Sequence, residues 1–189
     1  MNEFASADPP FHVLIEIGIL ATLVGATEDW AGVTVEGDVS GIDFSGSMNS
    51  DEVPDFNGDF VFVGDETYVR PTGGEWARTP DSGPAQPINP MAGLTMDDIL
   101  YRRVRPGTGL TTLESTRLTG VRFKAIPLQD ATFDLARFEI EVTDDGVPVS
   151  ARVAFLVSGQ RNGDLALISY DVAYEFTDVG ELVSIEAPI

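Results

Sequence analysis

Two dipeptides that favour tight turns divide the C-terminal third of the sequence. Asp145-Gly146 and Asn162-Gly163 separate three segments rich in alternating, β-branched or aromatic residues, which read ATFDLARFEIEVT, VPVSARVAFLVSG and DLALISYDVAYEF. Asp-Gly and Asn-Gly supply the positive φ angles that two-residue hairpin turns require. The pattern therefore predicts three strands joined as an antiparallel meander.

The predicted strands are apolar on both faces. An antiparallel sheet with one face in water should alternate apolar and polar residues. Val153–Val157 and Phe60–Val63 do not alternate in this way, nor does most of DLALISYDVAYEF. Two interpretations are open. The sheet folds into a sandwich or closed barrel that its own side chains fill, or its concave side lines a cavity for an apolar ligand.

Further strands are predicted in the N-terminal half. Phe11–Leu20 carries apolar residues at alternate positions and is interpreted as a strand, although a short helix is the rival assignment. Gly32–Met48 and Asp59–Pro71 follow, and Gly64-Asp65 in the second of these predicts a tight hairpin turn.

A loop and a helix are predicted between the two groups of strands. Residues 71–90 contain five of the twelve prolines, which predicts a loop that crosses the fold. Leu94–Val104 predicts the one main helix, because Thr95 can cap it, acids stand in its first turn and arginines stand near its end. The predicted fold class is α+β and mostly β: a strongly curved antiparallel sheet, an incomplete barrel, with one main helix and a proline-rich crossing loop.

The C-terminal segment Asp171–Ile189 is predicted to form the far edge of this sheet. It reads DVAYEFTDVGELVSIEAPI, which indicates an aromatic strand, a turn at Asp178 to Gly180 and a short second strand that ends at a proline.

Composition limits the function classes. The chain has 189 residues, which suits one domain, and we assign residues 11–189 to it and residues 1–10 to a linker or a remnant of expression. The net charge of −20 would repel phosphate backbones and anionic lipid headgroups, so nucleic acid is not an expected partner. The longest apolar run, Ile17–Ala26, is shorter than the roughly 20 residues of a membrane-spanning helix.

The sequence offers little catalytic chemistry. It has no cysteine and a single histidine, His12, which stands in an apolar strand and is interpreted as structural. Asp55, Asn57 and Asp59 loosely resemble a calcium loop, but a turn is the preferred interpretation. We therefore expect no enzyme activity, no catalytic residue, no metal site and no cofactor.

Three stretches resemble a known family. DETYVRPTGGEWART, INPMAGLTMDDIL followed by TTLESTRLTGVRFKAIPL, and YEFTDVGELVSIEAP are similar to the mycobacterial LppX and LprG-type lipoproteins within the LolA-like lipoprotein-carrier fold, and the match runs in chain order over residues 33–188. The resemblance implies an incomplete barrel with a helix at its open side and a cavity for acyl chains. The helix that usually precedes the first strand is not evident here.

The resemblance also implies a cellular role. Such proteins bind and transfer lipids in the bacterial cell envelope, outside the cytoplasm, and attach to the membrane through a lipidated cysteine upstream of the folded domain. Because this sequence contains no cysteine, such an anchor would lie before residue 1. The sequence does not predict an oligomeric state. The alternative function is an extracellular structural or interaction module with a self-filled core and no ligand.

The candidate cavity wall comprises apolar residues on the better-patterned strand faces and on the predicted helix. These residues are Val13, Ile15, Ile17, Phe60, Phe62, Met96, Leu100, Phe138, Ile140, Val153, Phe155, Ile168, Tyr170 and Val172.

Overall fold

The fold is a single antiparallel β-sheet. The computed structural model describes residues 9–23, 26–41, 43–52, 54, 57–64, 66–79, 101–105, 107–115, 129–161 and 163–189. These residues form eleven strands: β1 (Phe11–Leu23), β2 (Ala26–Ser40), β3 (Asp43–Asn49), β4 (Gly58–Val63), β5 (Glu66–Pro71), β6 (Ala77–Thr79), β7 (Tyr101–Arg105), β8 (Leu110–Ser115), β9 (Gln129–Thr143), β10 (Pro148–Arg161) and β11 (Asp164–Thr177).

The strand order shows two meanders joined side by side. Along the sheet it runs β6-β5-β4-β3-β2-β1-β11-β10-β9-β8-β7, and every neighbouring pair is antiparallel. Strands β1 to β6 form one meander and β7 to β11 form the other. Pairing of the first strand with the last joins the two, so the sheet has its open edges at β6 and β7 in the described part of the chain.

The predicted position of the C-terminal segment is wrong. Strand β11 lies at the centre of the sheet between β1 and β10, not at its edge. The predicted second strand is also wrong, because Glu181–Ile189 forms none. Both sides of β11 are already paired, so the chain beyond the turn has no free neighbour in the middle of the sheet.

The predicted hairpins are confirmed by the register. Val63 pairs with Glu66, and Arg161 pairs with Asp164, as two-residue turns require. Gly64 and Gly163 have φ angles of 58° and 92°. The predicted hairpin at Asp145-Gly146 also forms, but its loop is longer than the predicted two residues, because the N–H of Thr143 donates to the carbonyl of Val147.

The predicted helix is wrong over its last four residues. Tyr101–Arg105 forms β7, which pairs with β8 so that Arg105 lies opposite Leu110. Between these strands, Gly107 and Gly109 have φ angles of 78° and 67°, which suits a hairpin loop. No α-helix occurs among the residues that the structure describes, and residues 94–100 lie outside them.

The predicted proline-rich loop begins within the described residues, which extend to Thr79. Residues 80–100, which contain most of the predicted crossing loop, lie outside the described residues. Within the predicted loop, Ala77–Thr79 forms the short edge strand β6 against β5. Because β6 and β7 lie at opposite edges of the sheet, residues 80–100 connect those two edges.

Two glycines allow β2 and β3 to approach each other closely. Gly37 and Gly46 are directly paired. A Cβ atom on Gly46 would lie 2.2 Å from the carbonyl oxygen of Glu36 and 2.5 Å from the Phe44 ring, distances that no real Cβ contact shows. The Phe44 ring therefore occupies the space that side chains at these positions would need. Glycines of this kind are sites at which sheets bend.

We expect Gly46→Ala to destabilise the fold by about 1–3 kcal/mol, as overpacking of a core does. The added methyl group would meet backbone and a buried ring, neither of which can move freely. The shift of the midpoint in urea unfolding measures the effect.

Gly32→Ala is the matched control for this substitution. A Cβ atom on Gly32 would lie 3.8 Å from its nearest neighbour, the Glu52 carboxylate, which is an ordinary contact. The control should unfold at the wild-type urea concentration or slightly above it. Equal midpoints for the two alanine variants would contradict the close approach of β2 and β3.

Candidate functional site

The two faces of the sheet differ in composition. We call the face that carries Val13, Val153 and Val172 the inner face and the opposite one the outer face. On the inner face, Ile17, Val172 and Val153 lie in one row across β1, β11 and β10. Alternate residues of the same strands lie on the outer face and are exposed, as Glu16 is, or half-buried. The inner face is therefore the apolar interior of the protein.

Aromatic side chains fill much of the inner face. The rings of Phe155 and Tyr170 stack with their centroids 4.5 Å apart. Phe11 packs edge-on against Phe176 at 5.3 Å, and Tyr174 stacks on Phe176. Burial raises the pKa of Tyr174 and of Tyr170, because the phenolate form loses its solvation. Both phenols therefore remain neutral at physiological pH.

The structure brings the predicted cavity-wall residues together. Of the fourteen, Met96 and Leu100 lie outside the described residues, and the other twelve all lie on the inner face. Ten of these twelve are buried and belong to one continuous apolar cluster. Ile17 and Phe60 are only partly buried. Contact of any of them with a ligand remains a prediction.

Exposure rises along the inner side of β1. Phe11, Val13 and Ile15 are 1%, 0% and 4% exposed, whereas Ile17, Ile19 and Ala21 are only partly buried. Strand β11, which is paired with β1 along its length, stays buried on its inner side as far as Ala166. The apolar interior is therefore less well covered at one end of β1.

The partly exposed residues of this region form what we call the border cluster. It comprises Ile17, Ile19, Ala21, Met48 and Phe60, all packed against the apolar core. The register connects them through β2, because Ile17 pairs with Val33 and Met48 pairs with Val35. The cluster contains no charged or hydrogen-bonding side chain, so it can contact an apolar group but offers no means of catalysis.

Sequence reasoning missed three members of the border cluster. Ile19 and Ala21 continue the alternation of β1 beyond Ile17, so the pattern itself contained that signal. Met48 lies opposite Val35 and Gly58. Its position near β1 depends on the pairing of three strands, which no local pattern shows.

The outer face is charged over the half of the sheet nearest the start of β1. Arg152 forms an ion pair with Asp171 across β10 and β11. Arg137 contacts Glu139 at 2.5 Å and Glu114 at 3.6 Å. These pairs are solvent-exposed, and pairs of this kind contribute little to stability. They mark the outer face of β9, β10 and β11 as solvent-exposed at this end of the sheet.

His12 lies between two carboxylates on this outer face. Its Nδ1 donates to Asp38 Oδ1 at 2.9 Å, and its Nε2 lies 3.4 Å from Glu36 Oε1. The hydrogen bond to Asp38, more than the contact with Glu36, raises the pKa of His12 above 6.5, and partial burial opposes this only in part. The arrangement favours a structural imidazolium, in agreement with the prediction for His12.

Two of the three residues of the loosely calcium-like segment use their side-chain oxygen atoms within the protein, and Asp55 lies outside the described residues. Asn57 Oδ1 accepts the backbone N–H of Ser50 at 2.6 Å, and Asp59 pairs with Arg70 at 2.6 Å. The described part of the chain contains no group of three or more acidic, histidine or cysteine side chains that could hold a metal ion. It also contains no helix long and apolar enough to cross a membrane.

Comparison with known proteins gives distant structural likeness alone. A scan of protein-family models finds none that matches the chain, and a search of curated proteins finds no relative. Among solved structures, the crystal structure of the LolA superfamily protein NE2245 from Nitrosomonas europaea is similar, with a TM-score of 0.36 and 11% sequence identity. The match covers 94% of this chain and 90% of that chain.

We expect the contribution of His12 to stability to depend on pH. A histidine whose folded pKa exceeds its unfolded value of about 6.5 stabilises the fold fully below that pH and loses this effect as the pH rises through the folded pKa. The difference in unfolding free energy between wild type and His12→Gln should therefore be largest below pH 6.5 and shrink above it. Urea unfolding over pH 5–9 measures it.

Thr177→Gln is the control, because Thr177 lies directly opposite His12 and does not titrate. Its difference from wild type should stay constant over the same pH range. A His12→Gln difference that is also constant would contradict the ion pairs described above.

Proposed function

We propose that this chain binds a lipid or another apolar ligand through the inner face of its sheet and carries it without catalysis. The border cluster supports this proposal most directly. It is a patch of partly exposed, uncharged side chains that is continuous with the buried apolar cluster. An apolar chain that contacts the patch can therefore pass to the inner face without crossing a polar surface.

Transfer energetics favour a site of this plain composition. Burial of an acyl chain returns about 0.8 kcal/mol per methylene, or roughly 12 kcal/mol for sixteen carbons. Removal of the same chain from a bilayer costs a similar amount. A carrier that both loads and unloads therefore needs apolar surface matched to the membrane, and a strong polar anchor would hinder release.

Binding requires movement at the border cluster. Ten of the predicted wall residues are buried against other protein atoms, so a ligand would have to displace some of those contacts. Met48 is suited to this role, because an unbranched thioether side chain adapts to irregular space. We propose that the ligand enters at Ile17, Ile19 and Met48 and extends toward Phe60 and Phe62.

The cellular setting is part of the same proposal. The resemblance of the sequence to LppX and LprG-type lipoproteins supports a place in the bacterial cell envelope, with a lipid anchor upstream of residue 1. The absence of catalytic chemistry from the border cluster supports a carrier over an enzyme.

One observation favours a second candidate function. The inner-face side chains of β10, such as Val153 and Phe155, are almost completely buried by the protein itself. A self-filled core of this kind would suit a structural or interaction module that binds no lipid. The two functions differ in whether an acyl chain can enter the border cluster.

A binding experiment with substitutions in the border cluster tests the proposal. The wild-type protein should bind palmitic acid that carries a fluorescent anthroyloxy group, with an increase in fluorescence. Ile17→Thr combined with Ile19→Thr should weaken this binding about tenfold or more, because several apolar carbons are lost from the contact. Threonine keeps a high strand propensity, and circular dichroism verifies that the variant folds.

Leu20→Thr is the matched control. Leu20 follows Ile19 on the same strand but faces the opposite side of the sheet, so its replacement should leave the affinity for the fatty acid unchanged. Absence of binding by the wild-type protein would favour the self-filled module. Equal binding by the folded double variant would show that the border cluster is not the site.

A further inference from the structure

The outer face carries an exposed apolar patch at the end of the sheet that lies farther from His12. Leu20, Leu165 and Leu167 are 39%, 56% and 37% exposed. Leu20 and the half-buried Leu156 both pair with Ser169, so they lie in one row across β1, β11 and β10. We call the surface formed by Leu20, Leu156, Leu165 and Leu167 the outer apolar patch.

The outer apolar patch is free of charge in a strongly charged protein. In its two full rows, the remaining positions on β1, β11 and β10 are Ser169, Thr22 and Ser158. The charged pair Arg152 and Asp171 lies closer to the other end of the sheet. In a chain with a net charge of −20, these rows therefore differ from the charged half of the outer face.

The size of the patch argues against a second protein molecule as its partner. The exposed fractions of the three leucines together amount to little more than one whole leucine side chain. Stable protein interfaces bury about 800 Å² on each partner and need complementary shape. Docking on a lipid bilayer requires neither a large buried area nor a complementary shape, because the fluid bilayer adapts to the apolar groups that enter it.

We infer that the outer apolar patch docks on the surface of an electrically neutral lipid bilayer. Insertion of exposed leucines removes apolar surface from water, which favours binding. The acidic remainder of the protein repels anionic headgroups, which selects a zwitterionic surface. The inference goes beyond the proposed function and does not require it, although docking here would also place the β1 end of the border cluster beside the bilayer.

Because the protein is acidic, its affinity for anionic vesicles should depend on salt in the opposite direction to that of basic proteins, which bind such vesicles electrostatically. Affinity for phosphatidylcholine vesicles should hardly change with ionic strength. Affinity for vesicles that contain phosphatidylglycerol should be lower at low salt and increase as salt screens the repulsion, since the Debye length falls to about 8 Å at 0.15 M.

The test is vesicle flotation of the full chain with phosphatidylcholine vesicles. Combined substitution Leu20→Thr, Leu165→Thr and Leu167→Thr should reduce the partition coefficient by roughly tenfold or more, as expected from the loss of this apolar surface. Leu182→Thr is the control, because Leu182 is 97% exposed but follows β11 at the opposite end of the sheet. The control should partition as the wild type does.

Three results would overturn the inference. The wild-type protein fails to float with neutral vesicles, the folded triple variant floats as well as the wild type, or sedimentation shows a wild-type dimer that the triple variant loses.

Binding of anthroyloxy palmitic acid without vesicles separates this inference from the proposed function. The triple variant should bind the fatty acid as the wild type does. If the wild-type protein does not bind the fatty acid, only the proposed function is refuted.

Discussion

The structure depends on the pairing of β1 with β11. This ladder runs from His12 opposite Thr177 to Leu23 opposite Ala166, and it joins strands from the two ends of the chain. Without it, each meander would leave a long edge strand with unpaired backbone groups, one ending at β1 and the other at β11. Among the described strands, this pairing joins the two that lie farthest apart in the sequence, so it carries the largest cost in chain entropy. The two meanders must therefore supply enough apolar surface to each other to offset that cost.

The register of this ladder also determines what each face can do. Because side chains alternate along a strand, a slip of one residue would exchange the two faces. With Ile17 opposite Val172 and Leu20 opposite Ser169, the apolar positions of both meanders meet on the inner face. The same register leaves the border cluster on one side of β1 and the outer apolar patch on the other. Both surfaces therefore result from β1 extending its apolar sequence to the end of the sheet.

The sequence predicted those features that depend on near neighbours. Turns at Gly64 and Gly163 were found because two-residue hairpins need particular residues, and the strands beside them alternate clearly. The alternation along these strands also predicted that the twelve described wall residues share one face. The central position of β11 was missed, because its partner β1 lies at the other end of the chain and no local pattern identifies it. The helix prediction is wrong at residues 101–104 because Arg102 and Arg103 suit the end of a helix, whereas the pairing with β8 makes this segment a strand.

The central claim is that an apolar ligand occupies the inner face at the border cluster. Its most direct test is organic-solvent extraction of protein purified without detergent from a bacterial envelope, followed by mass spectrometry of the extract. We predict a species with one or more long acyl chains in an amount close to one per protein molecule, which Ile17→Thr combined with Ile19→Thr should reduce. An extract without apolar species, from protein that also takes up no lipid from vesicles, would contradict the claim.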